Sequence, residues 1–394
     1  MSRLDWSSSS IIASITVDLF ANIGENTMAE DALDFLISRE DLRETTFEAS
    51  SVVEDFGHED AGVLLKIDQF ALTANNITYA VAGDSMGYWQ FFPARAGMGR
   101  VPVWGFADVL ESKDSAIETG ERLYGYLPMS THLVVRPERV TERGFVDGAA
   151  HRAALPPIYN QYTRLARDPT YDPAAEAQQA LFRPLFTTSF LLDDFLADND
   201  FFGAGTVLLT SASSKTSYGL AHLLHKDRAE TCRVVGLTGA ANRAFVEGLG
   251  CYDQIVSYDE LANLTDEPAV VVDMAGNGQI LKALHYHFRD NMKYSCTVGA
   301  THWEQRRLGE DLPGAVPTLF FAPDHAQRRI KDQGADDFQQ SLELAWGDFM
   351  SAIGDGIEVI EARGRDAVAQ TYAKVLAGEV SAASGYMLSL WPPE

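Results

Sequence analysis

Ala212, Ser213, Ser214, Lys215, Thr216 and Ser217 bring hydroxyls, an ammonium and small side chains together directly after the apolar run Val207-Leu208-Leu209-Thr210. The segment that follows carries Leu220, Leu223 and Leu224 in helical register, so the six residues open a helix whose backbone N–H groups and positive end lie beside the hydroxyls. Phosphate suits that chemistry. Close approach of backbone to a diphosphate is usually secured by glycines, and Ala212, Ser214 and Ser217 stand in those places. A second set, Thr238, Asn242 and Arg243, follows the next apolar run. An acidic residue there would grip a ribose 2′-hydroxyl, whereas these three suit a 2′-phosphate, which points to NADP rather than NAD. The plainer alternative is a solvated loop, with Arg243 an exposed helix residue.

These groups need a parallel sheet behind them. Apolar runs at 207–210, 233–237, 254–256, 269–273 and 293–298 alternate with helical stretches, as in a doubly wound α/β sheet of the Rossmann type. Ligands of such sheets lie at the carboxyl ends of the strands. That rule nominates Tyr258, Met274, Ala275, Gly276, Val298 and Gly299 as further cofactor neighbours.

The stretch VLLTSASSKTSYGLAHLL, followed by RVVGLTGAANRAFVEGLGCYDQIVSYDE, resembles the cofactor domain of the medium-chain dehydrogenase/reductase superfamily, in its zinc-free quinone-oxidoreductase-like branch. The likeness is good over about the middle half of the chain. It implies a mainly β, GroES-like catalytic domain at 1–165, completed by 356–394, and a Rossmann-type cofactor domain at 166–355. It also implies that the corner holding Asn75, Asn76, Thr78 and Tyr79 lies beside nicotinamide and substrate, and that a helix over 181–196 brings Thr187 or Thr188 near the nicotinamide. Tyr79 could then donate to a substrate carbonyl, whose oxygen becomes negative as hydride arrives. The alternative has the two asparagines capping a helix and Tyr79 packed in the core.

Gly57-His58-Glu59 resembles a zinc-binding triplet, but in the resemblance the aligned stretch lies at 103–109, where Phe106 replaces the histidine. No cysteine precedes Cys232, so a zinc-free chain is expected. Lys215 is expected to neutralise phosphate rather than to act as a nucleophile.

The remaining stretches give coarser expectations. Residues 11–20 could form a strand, 29–37 look helical, 83–93 could line an apolar pocket with aromatics, and 138–175 look like an insertion or connecting arm. His302 is a candidate substrate contact, and His285 and His287 fall on different helix faces.

With 394 residues of which 46% are hydrophobic, the chain can bury large cores. A formal charge of −25 argues against nucleic acid and anionic membranes as partners. No apolar run is long enough to span a bilayer, no export signal is read, and three scattered cysteines fit a reducing cytoplasm. The expectation is an NADPH-dependent, zinc-independent oxidoreductase acting on a small carbonyl compound, quinone or activated alkene, with a homodimer as one expected assembly. A lyase-type enzyme or an NADPH-binding sensor on the same scaffold are the alternatives.

Overall fold

The computed structural model describes residues 32–168, 171–298, 312–353 and 356–393. Its first elements are strands β1 (Leu33–Ser38) and β2 (Thr45–Ala49), helix α1 (Val52–Gly57), strand β3 (Val63–Leu72) and helix α2 (Ala74–Val81). Strands β4 (Met98–Gly99), β5 (Pro102–Ser112), β6 (Arg122–Pro128), β7 (His132–Val135), β8 (Pro137–Glu138), β9 (Gly144–Asp147) and β10 (Gln161–Arg164) follow.

The stretch read as helical at 29–37 instead supplies β1, held between β2 and β4 with every side chain of the strand buried. Tertiary pairing outweighs local preference there, because Phe35 packs edge-on against Tyr372 and Ile37 sits in the same core. Residues 11–20 lie outside the described residues.

The long helix α3 (Glu176–Asp198) leads into β11 (Thr206–Leu209), α4 (Lys215–Asp227), β12 (Arg233–Thr238), α5 (Arg243–Gly248), β13 (Gln254–Ser257), β14 (Ala269–Asp273), α6 (Gly278–Phe288) and β15 (Met292–Thr297). These strands and β16 (Thr318–Leu319) form one sheet in the order β13-β12-β11-β14-β15-β16, with every neighbouring pair parallel. The chain reverses its direction of travel across the sheet between β11 and β14, which is where an open α/β sheet leaves a crevice. Val207, Leu208, Leu209, Val234, Val235 and Val271 are fully buried, as expected of strands covered on both faces.

Helices α7 (Ala322–Gln333) and α8 (Ala335–Ile353) precede β17 (Glu358–Arg363), α9 (Arg365–Ala377) and β18 (Ser384–Ser389). A second sheet runs β17-β18-β3-β5-β6-β10-β9-β8, with β7 also paired to β3. Strand β18 pairs antiparallel with β3, so the last strands join the sheet begun by the first. The stretch read as an arm at 138–175 contributes β9 and β10 to this sheet, anchored where the Tyr162 hydroxyl donates to the Tyr126 carbonyl at 2.7 Å.

Helix α3 joins the two layers. Its first residue, Glu176, accepts from Arg122 Nε at 2.6 Å and Nη2 at 2.7 Å, from Gln69 at 2.8 Å and from the Tyr171 hydroxyl at 2.6 Å. Such a bidentate, half-buried contact fixes direction as well as position.

Candidate functional site

Where β11 and β14 diverge, two buried side chains fasten their ends. The Thr210 hydroxyl donates to Asp273 Oδ1 at 2.6 Å and accepts from the Met274 N–H at 2.9 Å. The same carboxylate oxygen accepts from the N–H groups of Ala275 at 3.1 Å and Gly276 at 3.2 Å. The turn after β14 is thereby tied to the turn after β11, and Gly276 supplies the left-handed conformation it needs, at φ 67°. Met274 and Ala275 are buried here and Gly276 is partly open, while Gly299 and His302 lie outside the described residues.

The first turn is tighter than its sequence suggests. Ser211 is the residue in the left-handed region, at φ 49°, so the glycine-like position is Ser211 rather than Ala212. Its N–H donates to the Tyr258 hydroxyl at 2.7 Å, and burial chiefly pushes that phenol up to about 12. Ala212 is buried between strands, its N–H bound to the Leu237 carbonyl at 2.9 Å and its carbonyl accepting from the Tyr252 hydroxyl at 2.8 Å. Ser214 caps α4 by accepting from the Ser217 N–H at 3.2 Å, and the buried Ser217 hydroxyl donates back to the Thr210 carbonyl at 2.9 Å. Both of these hydroxyls therefore hold the turn together instead of facing a ligand. What the turn offers outward is the start of α4, where the N–H groups of Lys215 and Thr216 precede the first helical bond, together with the Ser213 side chain.

Lys215 departs from expectation. Its Nζ turns away from the turn to donate to the Ser384 carbonyl at 3.0 Å and lies 5.8 Å from the centre of the Phe182 ring. Burial lowers its pKa to about 8. Arg243 is likewise engaged, with Nε 3.0 Å from Glu247 and Nη1 3.0 Å from Glu260 on an exposed surface. Beside it Thr238 is buried and Asn242 reaches Ser213 at 3.4 Å, so the second strand end does abut the first turn.

The corner of β3 and α2 separates the other candidates. Asn76 is fully occupied: its Oδ1 accepts from the Thr73 N–H at 2.7 Å and its Nδ2 donates to the Pro102 carbonyl at 2.9 Å. It completes the capping box of α2 with Thr73 and also borders the pocket at this corner. Asn75, half-buried, faces the Tyr79 hydroxyl together with Trp104 and Tyr159. Tyr79 is only 6% exposed, and burial raises its pKa. Around it Tyr88 lies at 4.6 Å between ring centres, Tyr126 at 5.6 Å and Tyr159 at 6.2 Å. The Trp104 indole N–H and the Tyr124 and Tyr126 hydroxyls are buried without a hydrogen-bond partner among the described residues. Trp89, Phe91 and Phe92, read as pocket lining, are packed in the core instead.

A narrow pocket opens between this corner and α3, lined by Thr73, Asn75 and Trp104 on one side and Leu181, Pro184 and Leu185 on the other. Four residues beyond Leu185, about 6 Å along the helix axis, Ser189 donates to the Thr216 carbonyl at 2.8 Å. Helix α3 thus sets the aromatic corner close to the first turn. The Thr188 hydroxyl, between Leu185 and Ser189 in the sequence of α3, donates to the Pro184 carbonyl at 3.4 Å.

Trp104, Tyr159, Ser211 and the Thr210–Asp273 pair are site features that the sequence reading did not select. Only Thr210 and Asp273 had a usable signal, as polar residues ending apolar strands. Phe106 is buried on β5 with Arg122 over its ring. Among the described residues no group of three or more His, Cys, Asp or Glu side chains is placed to hold a metal ion, and no helix is long and apolar enough to cross a membrane. His285 is buried, bonded to the Pro313 carbonyl at 2.9 Å and to Ser295 at 2.9 Å.

A protein-family model described as "Protein of unknown function (DUF2855)" matches residues 70–381. No curated protein matches the chain. Among solved structures, CurA from Vibrio vulnificus in complex with NADPH is 13% identical, with 92% of this chain and 100% of that chain covered at a TM-score of 0.55. The CurK enoyl reductase is 11% identical, covering 91% of this chain and 99% of that chain at a TM-score of 0.56. A mutant form of enoyl thioester reductase from Candida tropicalis is 11% identical over 91% of this chain and 99% of that chain, with a TM-score of 0.54. At such identities the likeness establishes the fold, a parallel Rossmann-type sheet joined to a mainly β unit.

Proposed function

We propose that this chain, which belongs to the DUF2855 family, is an NADPH-dependent, zinc-independent reductase that delivers hydride to a small carbonyl compound or activated alkene. The observation that carries the reading is the switch in strand order between β11 and β14, beside a turn whose outward groups are backbone N–H donors at the start of α4. The donor set fits a diphosphate: Ala212 keeps its side chain inward, Gly276 keeps the facing turn bare, and Ser213, Asn242 and Thr238 border the ribose side. Two of the similar solved structures are enoyl reductases and a third was solved with NADPH, which supports an alkene conjugated to a carbonyl ahead of a quinone.

Bound nicotinamide supplies the hydride. The chain's own residues do the rest. Tyr79 keeps its proton because burial raises its pKa, so it can donate a hydrogen bond to the oxygen that gains charge. Asn75 and Trp104 hold that hydroxyl from the same wall. Tyr88, Tyr126 and Tyr159 exclude water behind them. Thr188, between Leu185 and Ser189 on α3, is the helix residue assigned to the nicotinamide.

A binding-only role is the second reading, favoured by the engagement of both Lys215 and Arg243 with other partners. Calorimetry with NADPH and NADH, followed by a panel of enones, aldehydes and quinones read at the nicotinamide band, separates the two. Tight binding with turnover of enones is the expected result. Binding without turnover across the panel selects the sensor reading, and no binding of either coenzyme overturns both.

A further inference from the structure

A cavity of about 330 Å³ lies between the 139–168 segment, α3 and α8, and its wall contains Arg139, Arg143 and Arg183. None of these guanidiniums has a carboxylate within 4.0 Å among the described residues. Arg122, Arg152, Arg164, Arg228 and Arg329, by contrast, sit in ion pairs. Arg139 and Arg143 are exposed at the rim, so only Arg183 is partly taken out of water. Desolvating a cation without a direct partner is costly, which favours an anion arriving at Arg183.

Arg183 is the deepest of the three. Its guanidinium lies 5.3 Å from the centre of the Trp346 ring, and Asp168 and Glu343, also on the cavity wall, act on it only at longer range. The two carboxylates oppose an anion but are outnumbered by the guanidiniums. The planar fork of Arg183 suits a carboxylate or phosphate held through two oxygens. The cavity volume falls within the roughly 300–1,000 Å³ common for small-molecule pockets.

Arg183 neighbours the corner pocket only along α3. The next two residues of α3, Pro184 and Leu185, line the narrow pocket containing Asn75 and Trp104. Tyr124, whose hydroxyl has no partner and which feels the charge of Arg183, stacks on Trp104 with 5.7 Å between ring centres.

We infer that this cavity recognises the oxyanion, carboxylate or phosphate ester, of a small acidic ligand, with Arg183 as its anchor. The inference stands apart from the reductase reading, because its binding test needs neither coenzyme nor turnover. Calorimetry on the full chain without nucleotide tests it with 4-oxopentanoate, its neutral methyl ester, and hydroxyacetone phosphate. Saturable binding of at least one anion, with the ester at least about tenfold weaker, is expected. Arg183→Met should abolish that preference and Arg183→Lys should retain part of it. Should Arg183→Met fold poorly, Arg139→Ala combined with Arg143→Ala at the exposed rim is expected to weaken the anions several-fold and leave the ester unchanged. The relative affinity of the two anions tells which oxyanion is preferred. Equal binding of acid and ester, or anion binding untouched by both sets of substitutions, overturns the inference. If anions bind through Arg183 but no NADPH is oxidised, the reductase reading fails and the anion pocket stands.

Discussion

Lys215, the first residue of α4, crosses to the other sheet and gives its Nζ to the carbonyl of Ser384 on β18 at 3.0 Å. Burial holds its pKa near 8, below the ordinary value of 10.5. Below about pH 8 the amine is charged in both folded and unfolded chains, and burial of the charge then penalises the fold. As pH rises from about 8 to 10.5 the folded amine is neutral while the unfolded one still holds its proton, so the penalty is progressively lost and this group's contribution to stability improves. Lys215→Met should remove that dependence. Thermal melts are expected to favour the variant most near pH 7 and to converge toward wild type near pH 10; a difference independent of pH would contradict the assignment.

Arg243 stands between Glu247 and Glu260, each 3.0 Å away. Such exposed pairs contribute little, so an arriving 2′-phosphate can displace either. Glu260→Gln should raise the NADPH over NADH affinity ratio by about two- to fivefold, and Arg243→Ala should lower it. Equal changes for both coenzymes in titration calorimetry would leave Arg243 as a surface residue only.

Tyr79 and Asn76 sit three residues apart and should fail in different ways. Tyr79→Phe removes the donor and should lower kcat for an enone by about 100-fold or more with little change in melting temperature. Asn76→Ala removes the cap of α2 and the bond to Pro102, and should cost about 2 kcal/mol in denaturant unfolding. If Tyr79→Phe retains wild-type kcat, the proton source lies elsewhere.

The Thr210–Asp273 contact is a stability prediction with a binding consequence. Thr210→Val or Asp273→Ala leaves buried N–H groups at Met274, Ala275 or Gly276 without their acceptor, a loss of roughly 1–3 kcal/mol for each stranded group. Chemical denaturation should show the two substitutions to be strongly non-additive, because both break one network. Additive losses would mean that the turns are not coupled.

The parallel sheet was legible because its strands are short apolar runs punctuated by turn residues, a pattern that survives without tertiary information. The site around it was only partly so. The small residues of the first turn announced tight backbone, yet Ser211, not Ala212, takes the left-handed conformation. Which hydroxyl faces inward cannot be read from a run of serines, and two of those in the turn are consumed by Thr210 and by the cap. Lys215 and Arg243 have partners, Ser384 and Glu260, from other elements that no local pattern connects to them. Segment 29–37 was misread because its apolar spacing satisfies a helix as well as a fully buried strand, and only pairing with β2 decides between them.

The pairing of β18 with β3 joins residues roughly three hundred positions apart, while the parallel sheet is complete between Thr206 and Leu319. A growing polypeptide can therefore finish the parallel sheet while β3, already paired with β5 and β7, still lacks β18 on its other edge. Such sequence-distant pairing folds slowly and exposes an unsatisfied strand edge in the interim, the period in which this protein is most open to aggregation and most dependent on cellular help.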